Sequence, residues 1–229
     1  MLAPSYATPI SSDPGGGGVG GNAASAPGPS SSYPWVGTVD DTNTGTGNKT
    51  TEIPTISWNA RGGLKVDLTL YHNSETNFPS PFGYKWLLIY QSQVGVDSSG
   101  NVGVTWGDGR KYKFGNTSGV YSPPPGIHEK LIVTGSNPVA SYDIIEKDQT
   151  KYHFANYGGV YVLNTITDEN GNQITVNNSS NGGLISVTDP SNRTVTFGYN
   201  GPSAGFYNTM TDPLGHVVNL SYDASGNLS

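Results

Sequence analysis

The sequence of 229 residues contains no cysteine. Disulfides, thiolate metal sites, iron–sulfur centres and cysteine nucleophiles are therefore excluded. Charge is also scarce: 12% of residues are Asp, Glu, Lys or Arg, with 11 basic against 17 acidic side chains and a net charge of −6. No basic stripe is present, so nucleic-acid binding through phosphate neutralisation and docking on an anionic membrane are both disfavoured. No stretch approaches the roughly 18 consecutive apolar residues of a membrane span, and no membrane insertion is expected. The opening MLAPSYATPI lacks the charged start and apolar core of a signal peptide. No signal peptide is visible, which implies export without a cleavable signal or a true start upstream of Met1. A sustained i, i+3, i+4, i+7 apolar stripe is absent as well, and with it any case for long amphipathic helices.

Glycine and proline are abundant, with 32 and 16 residues. Residues 1–52 hold 10 Gly and 6 Pro, including the run Gly15–Gly18. Such a segment buries too little apolar area to offset its ordering entropy. It is expected to be a disordered Gly/Pro/Ser-rich leader, in which Tyr33, Pro34, Trp35 and Val36 make a transient contact or, as the alternative, dock on the folded part. From Ile53 the texture changes to short alternating runs separated by Gly, Asn and Asp. Leu64, Val66, Leu68 and Leu70 alternate with Lys65, Asp67 and Thr69, the pattern of a strand with one buried face. Trp86–Tyr90 reads as a second strand. Ser99–Gly100–Asn101 and Gly107–Asp108–Gly109 read as turns. The fold class expected is all-β and antiparallel.

The last third repeats itself. Thr167–Asp168, Thr188–Asp189 and Thr211–Asp212 are separated by 21 and then 23 residues, and each aspartate opens a turn-like tetrapeptide. Six residues on stand Ile174, Val195 and Val218, and eight on stand Val176, Phe197 and Leu220; two before stand Ile166, Val187 and Met210. The unit is strand, aspartate turn, strand, and such units bury their faces by stacking on neighbours. Asp108 and Asp148 read as earlier, degraded copies, because Phe114 and Phe154 stand six residues beyond them. A sandwich with accidental turn similarity is the alternative. The organisation expected is a leader over 1–52, an opening β domain over 53–160 and hairpin repeats over 161–229.

Thr188–Asp189–Pro190, Thr211–Asp212–Pro213–Leu214–Gly215 and Tyr222–Asp223–Ala224–Ser225–Gly226–Asn227–Leu228 resemble the tyrosine–aspartate (YD) repeats of bacterial Rhs proteins and teneurins. Ala60–Arg61–Gly62–Gly63–Leu64, Leu70–Tyr71–His72–Asn73–Ser74, Phe82–Gly83–Tyr84–Lys85–Trp86 and Asp108–Gly109–Arg110 are similar to the domain that commonly opens an Rhs shell. The match spans roughly residues 45–229, although Asn192 stands where glycine is usual. The resemblance implies hairpin repeats stacked as part of a β-shell or spiral sheet, secreted or on the bacterial cell surface. It further implies a longer parent protein whose shell encloses or displays a C-terminal effector, a toxin. The partners implied are the remainder of that longer chain and the enclosed effector. Ending at Ser229 would leave an unpaired strand edge, so the sequence reads as the N-terminal part of that parent.

Sites for chemistry are weakly indicated. The glutamates Glu52, Glu75, Glu129, Glu146 and Glu169 include no evident glycosidase pair, and most aspartates are explained as turn formers. Asp212–Pro213–Leu214–Gly215 superficially matches the Rhs self-cleavage motif but leads into an ordinary β-run, Val217–Tyr222. His72, His128, His153 and His216 lack metal-site spacing. Asp168, Asn170 and Asn172 imitate the start of a calcium loop without its glutamate. No phosphate loop or nucleophile elbow is present. The chain is thus expected to be non-enzymatic, with no catalytic, cofactor-binding or metal residues; Asp168, Asp189 and Asp212 form turns, and Phe114, Phe154, Val195 and Val218 pack. The rival expectation is a free-standing carbohydrate-binding module, in which Tyr157 and Tyr161 flank Gly158–Gly159 as a platform for a glycan.

Overall fold

A computed structural model describes residues 49–74, 80–136, 139–199 and 205–229, and the backbone of 38–39 and 42–43. The leader expected over 1–52, with its Tyr33–Val36 cluster, lies outside the described residues apart from these short pieces. The described chain is all-β and antiparallel. In order come β1 (Thr38–Val39), β2 (Thr42–Asn43), β3 (Thr50–Ile53), β4 (Ser57–Asn59), β5 (Lys65–Asp67), β6 (Leu70–Asn73) and β7 (Trp86–Leu87). The alternating run Leu64–Leu70 is buried on one face as expected, but it is two strands. Asp67 Oδ1 accepts the Thr69 N–H at 3.0 Å and the Thr69 hydroxyl at 2.7 Å, and this local turn ends β5 before β6 begins. Trp86–Tyr90 is also shorter as a strand than its composition predicts. Gln91 Oε1 accepts the Leu88 N–H at 3.0 Å, and a 3₁₀ turn, Ile89–Gln91, follows.

Eight strands come next: β8 (Gln93–Val96), β9 (Val102–Thr105), β10 (Lys111–Thr117), β11 (Val120–Ser122), β12 (Lys130–Thr134), β13 (Ser141–Ile145), β14 (Lys151–Tyr157) and β15 (Val160–Thr167). Each pairs with its sequence neighbour except β11 with β12, and β8 pairs back onto β15 through Val94 opposite Tyr161. In a flat sheet β9 and β14 would lie about 14 Å apart. The rings of Trp106, just after β9, and Tyr152 on β14 are 4.8 Å apart. The meander therefore curls into a barrel whose open seam lies between β11 and β12. Val102, Val104, Trp106, Phe114, Ile144, Phe154 and Leu163 fill it, as expected for eight strands.

The sheet then extends through β16 (Gln173–Asn178), β17 (Leu184–Thr188), β18 (Thr194–Gly198), β19 (Thr209–Thr211) and β20 (Val217–Asn219). β15 is the fork. Its Tyr161 and Val162 face β8, while Thr165–Thr167 face β16. The extension buries Ile174, Val176, Val187, Val195, Phe197 and Met210 on one face, and the segment before β8 covers them. Phe82, for example, lies 5.9 Å from the Phe197 ring and 4.6 Å from that of Tyr207.

Candidate functional site

The repeated element is a five-residue turn. Asp168 N–H bonds the Asn172 carbonyl at 3.0 Å, and Gly171 N–H returns to the Asp168 carbonyl at 3.2 Å. The carboxylate then closes the loop on itself: Oδ1 accepts the N–H groups of Asn170 and Asn172, and Oδ2 accepts Asn172 Nδ2 at 2.7 Å. The same pattern recurs at Asp189 with Arg193, at Asp212 with His216, at Asp223 with Asn227, and at Asp97 with Asn101. The fourth residue is left-handed each time, as Gly100, Gly171, Gly215 and Gly226 permit, and Asn192 holds the same conformation at φ 62°. Asn tolerates it better than most residues, which explains the departure from glycine there.

These bonds favour the charged carboxylate. The Asn172 side chain leads in holding Asp168 below its usual range, and Asn101 and Asn227 do so for Asp97 and Asp223. Burial opposes ionisation of Asp189, but the Arg193 backbone, the Trp58 indole and the Arg193 side chain outweigh it and lower that carboxyl too. Burial is likewise the first influence on Asp212, overcome by His216 and Leu214. The donor at the fifth position is absent from the sequence-level description of the repeat. Its signal is legible in retrospect: Asn101, Asn172, Arg193, His216 and Asn227 all stand four residues after a turn aspartate.

Three of these turns also receive the segment before the barrel, the Asp223 turn through Tyr84 N–H on the Gly226 carbonyl at 3.1 Å. Trp58 Nε1 donates to Asp189 Oδ2 at 3.0 Å, Arg193 donates to the Asn59 carbonyl at 2.7 Å, and its guanidinium lies 5.4 Å from the Trp58 ring. A Cβ on Gly62 would fall 1.8 Å from Asp168 Oδ2, so the Arg61–Gly63 turn seats on the Asp168 turn only because residue 62 has no side chain. Among the described residues the Asp212 turn receives nothing comparable: Leu214 is 82% exposed and the His216 side chain 76%.

Within the barrel the frame differs from the sequence expectation. The turns there begin at Trp106 and Glu146, not at Asp108 and Asp148: Trp106 N–H bonds the Arg110 carbonyl and Glu146 N–H the Thr150 carbonyl. Asp108 and Asp148 occupy the third position, where each accepts the N–H two residues on. Phe114 and Phe154 are thus eight residues beyond the turn start, equivalent to Val176 and Phe197, while Tyr112 and Tyr152 are the six-on residues. The likeness of these two units is also deeper than two aromatics. Lys111–Tyr121 and Lys151–Tyr161 share Lys, Tyr, Phe, Asn, Gly, Val and Tyr at matching positions, and Asn116 and Asn156 each accept the N–H of the glycine three residues on at 2.8 Å.

The sequence candidates separate clearly. Tyr157 and Tyr161 do not form a free platform: the Tyr157 hydroxyl accepts Asn164 Nδ2, while the Tyr161 hydroxyl donates to the Val139 carbonyl and its ring packs on Tyr142 at 4.7 Å. His72 packs on Trp86, His153 bonds Asp143 and His216 bonds Asp212, with His128 exposed in a loop. Asp168, Asn170 and Asn172 are engaged with one another as a turn. Asp212–Gly215 is a turn between β19 and β20. Glu52 lies on β3 and Glu169 in an exposed turn, and Glu75 lies outside the described residues.

Glu129 and Glu146, by contrast, come to one end of the barrel. Arg110 joins them there, its Nε 2.7 Å from Asp108 Oδ2 and its guanidinium 5.1 Å from the Trp106 ring. Burial raises the pKa of Glu146; Arg110 opposes that, and Asp148, Glu129 and Asp108 reinforce it. Residues 40–114 match the model of a family described as a domain of unknown function (DUF6531), a match that ends inside β10. No curated protein matches the chain.

Proposed function

We propose that this chain is a non-enzymatic structural segment of an Rhs/YD-repeat shell, exported from a bacterium or held at its surface, whose longer parent encloses or displays a C-terminal effector. The observation that carries this reading is the self-closing aspartate turn. Each turn's carboxylate satisfies that turn's own backbone donors and joins two strands, so a sheet built from such units grows by repetition. β20 has one paired edge, toward β19. On its other side the Asp223 turn has already begun a return, with Tyr222 bridged to Leu228 and Ser229 N–H on the Ser221 carbonyl at 2.9 Å. A continuing strand would run along β20 in that register and cover the edge. The segment before the barrel serves as the inner lining of the first turns.

The native coding sequence past the codon for Ser229 tests this. Further turns of the form Asp-x-x-Gly followed by Asn, Arg or His, leading into an unrelated domain, are expected. A stop codon at that point would refute the shell reading.

A further inference from the structure

One edge of β15 runs along β14, so β8 and β16 share the other. β8 pairs there with Tyr161 and Val162, and β16 with Thr165–Thr167. Leu163 and Asn164 stand in the gap between the two strands, and single hydrogen bonds span it. Leu163 N–H bonds the Ser92 carbonyl at 3.0 Å, Asn178 Nδ2 donates to the Leu163 carbonyl at 2.9 Å, and Asn164 Nδ2 donates to the Val176 carbonyl at 3.3 Å. Beside this gap lies a cavity bounded by Gln91, Gln93, Val162, Asn178, Gly182 and Leu184, with about 20 Å³ of space for the centre of a water-sized molecule. Roughly 10–15 Å³ on that measure admits one water. The space therefore takes one such molecule and nothing much larger.

Gln93 carries the argument. Val94 faces the barrel interior, so by strand alternation the Gln93 side chain stands on the outer face of β8, where it borders the cavity. Gln93 is 5% exposed, and its carboxamide has no hydrogen-bond partner among the described residues. A buried amide is costly to leave unpaired, and an exception calls for an explanation. Asn178 spends its Nδ2 on the carbonyls of Leu163 and Val176, which leaves its Oδ1 as an acceptor. Gln91 Oε1 takes the Leu88 N–H, while Nε2 reaches Ser80 Oγ at 3.4 Å with one of its two hydrogens.

The lining narrows the occupant. No Asp, Glu, Lys, Arg or His borders the space, so an ion would find no counter-charge. An apolar occupant would leave Gln93 unpaired. Water fits, because it both donates and accepts and so serves Gln93 whichever way the amide is turned. We infer that the fork of β15 binds one ordered water molecule, held by the carboxamides of Gln93, Asn178 and Gln91, that ties the barrel to the extension where no strand ladder does. Gln93 belongs to β8 and Asn178 to β16, so the water joins the last residues the two parts bring together. The inference does not depend on the shell reading.

The test uses the full ¹⁵N-labelled chain with solvent water as the probe. Magnetisation transfer from water to the side-chain amide protons of Gln93 and Asn178 is expected, with the sign of a water held for longer than the molecule takes to tumble. Val162→Ile adds a methylene to the cavity wall and removes no polar group, and it should abolish both signals. Gln93→Met should abolish the signal at Asn178; should that variant fail to fold, Val162→Ile decides alone. Absence of a held water in the parent chain overturns the inference, as does a signal that survives in the variants. A saturable shift of the Gln93 amide on titration with ammonium chloride would show a cation site and refute it as well.

Discussion

The barrel and its extension use one five-residue turn in two ways. At Asp97 in the barrel and at Asp168, Asp212 and Asp223 in the extension the first residue is aspartate, and its carboxylate is consumed by the N–H groups and the fifth side chain of its own turn. In the two barrel turns that follow β9 and β13 that first position is Trp106 or Glu146, and the aspartate has moved to the third position, where it still anchors the fifth N–H. The first side chain is thereby released from local duty and turned toward the barrel end. A shift of two residues converts a self-sufficient structural unit into one that presents a functional group. Repetition and specialisation thus share a backbone and differ in where a single carboxylate sits.

The comparison between turns that are covered and turns that are not is broken most sharply at Asp189. Asp189→Ala removes a buried carboxylate that accepts both the half-buried Trp58 indole and the exposed Arg193 guanidinium and is expected to cost about 2 kcal/mol, read from chemical denaturation. Asp212→Ala removes the same turn bonds in solvent and should cost clearly less. Equal losses would show that the turn alone matters and that the Trp58 contact contributes nothing.

Acid titration sharpens the contrast between the two uses of carboxylates. The turn aspartates have lowered folded pKa values, so their stabilisation is complete above the unfolded value of about 4 and is lost as pH falls through the folded values. Glu146 has the opposite sign. Its raised folded pKa means that its contribution is full below the unfolded value, about 4.3, and fades as pH rises through the folded one. Glu146→Gln should flatten the stability profile above that unfolded value and leave the acid limb in place. A variant that instead alters only the acid limb contradicts the assignment.

The smallest effect concerns the fourth position. Gln149 holds φ 67° in the Glu146 turn, and Gln149→Gly should stabilise by up to about 1 kcal/mol through relief of strain. Asn192→Gly should change the denaturation midpoint less, since Asn already tolerates that conformation. A larger gain at Asn192 would reverse this ranking.

Much of the architecture was legible because it is local. Alternation at Leu64–Leu70, the aspartate spacing and the six-on and eight-on apolar residues report the pleat and the turn directly, and their burial follows. The breaks at Asp67–Thr69 and Ile89–Gln91 were hidden because one side-chain hydrogen bond decides each of them, and no periodicity records it. The barrel end was hidden for another reason. Glu129 lies on a loop and Glu146 opens a turn, and only the curl that brings Trp106 against Tyr152 unites them. Alignment on Asp108 and Asp148 also placed the turns two residues late, which concealed that Trp106 and Glu146 are equivalent.

The fork at β15 carries a consequence for how the molecule assembles. The pairing of Tyr161 with Val94 closes a loop of roughly seventy residues, an entropic cost that must be met before the contacts repay it. Each hairpin of the extension, in contrast, joins strands that are near neighbours in sequence. Barrel closure is therefore the slow kinetic step, and β15, once anchored on β8 and β14, becomes the template on which the later strands zip in succession. A chain emerging from its N-terminus would complete that template before the repeats that depend on it.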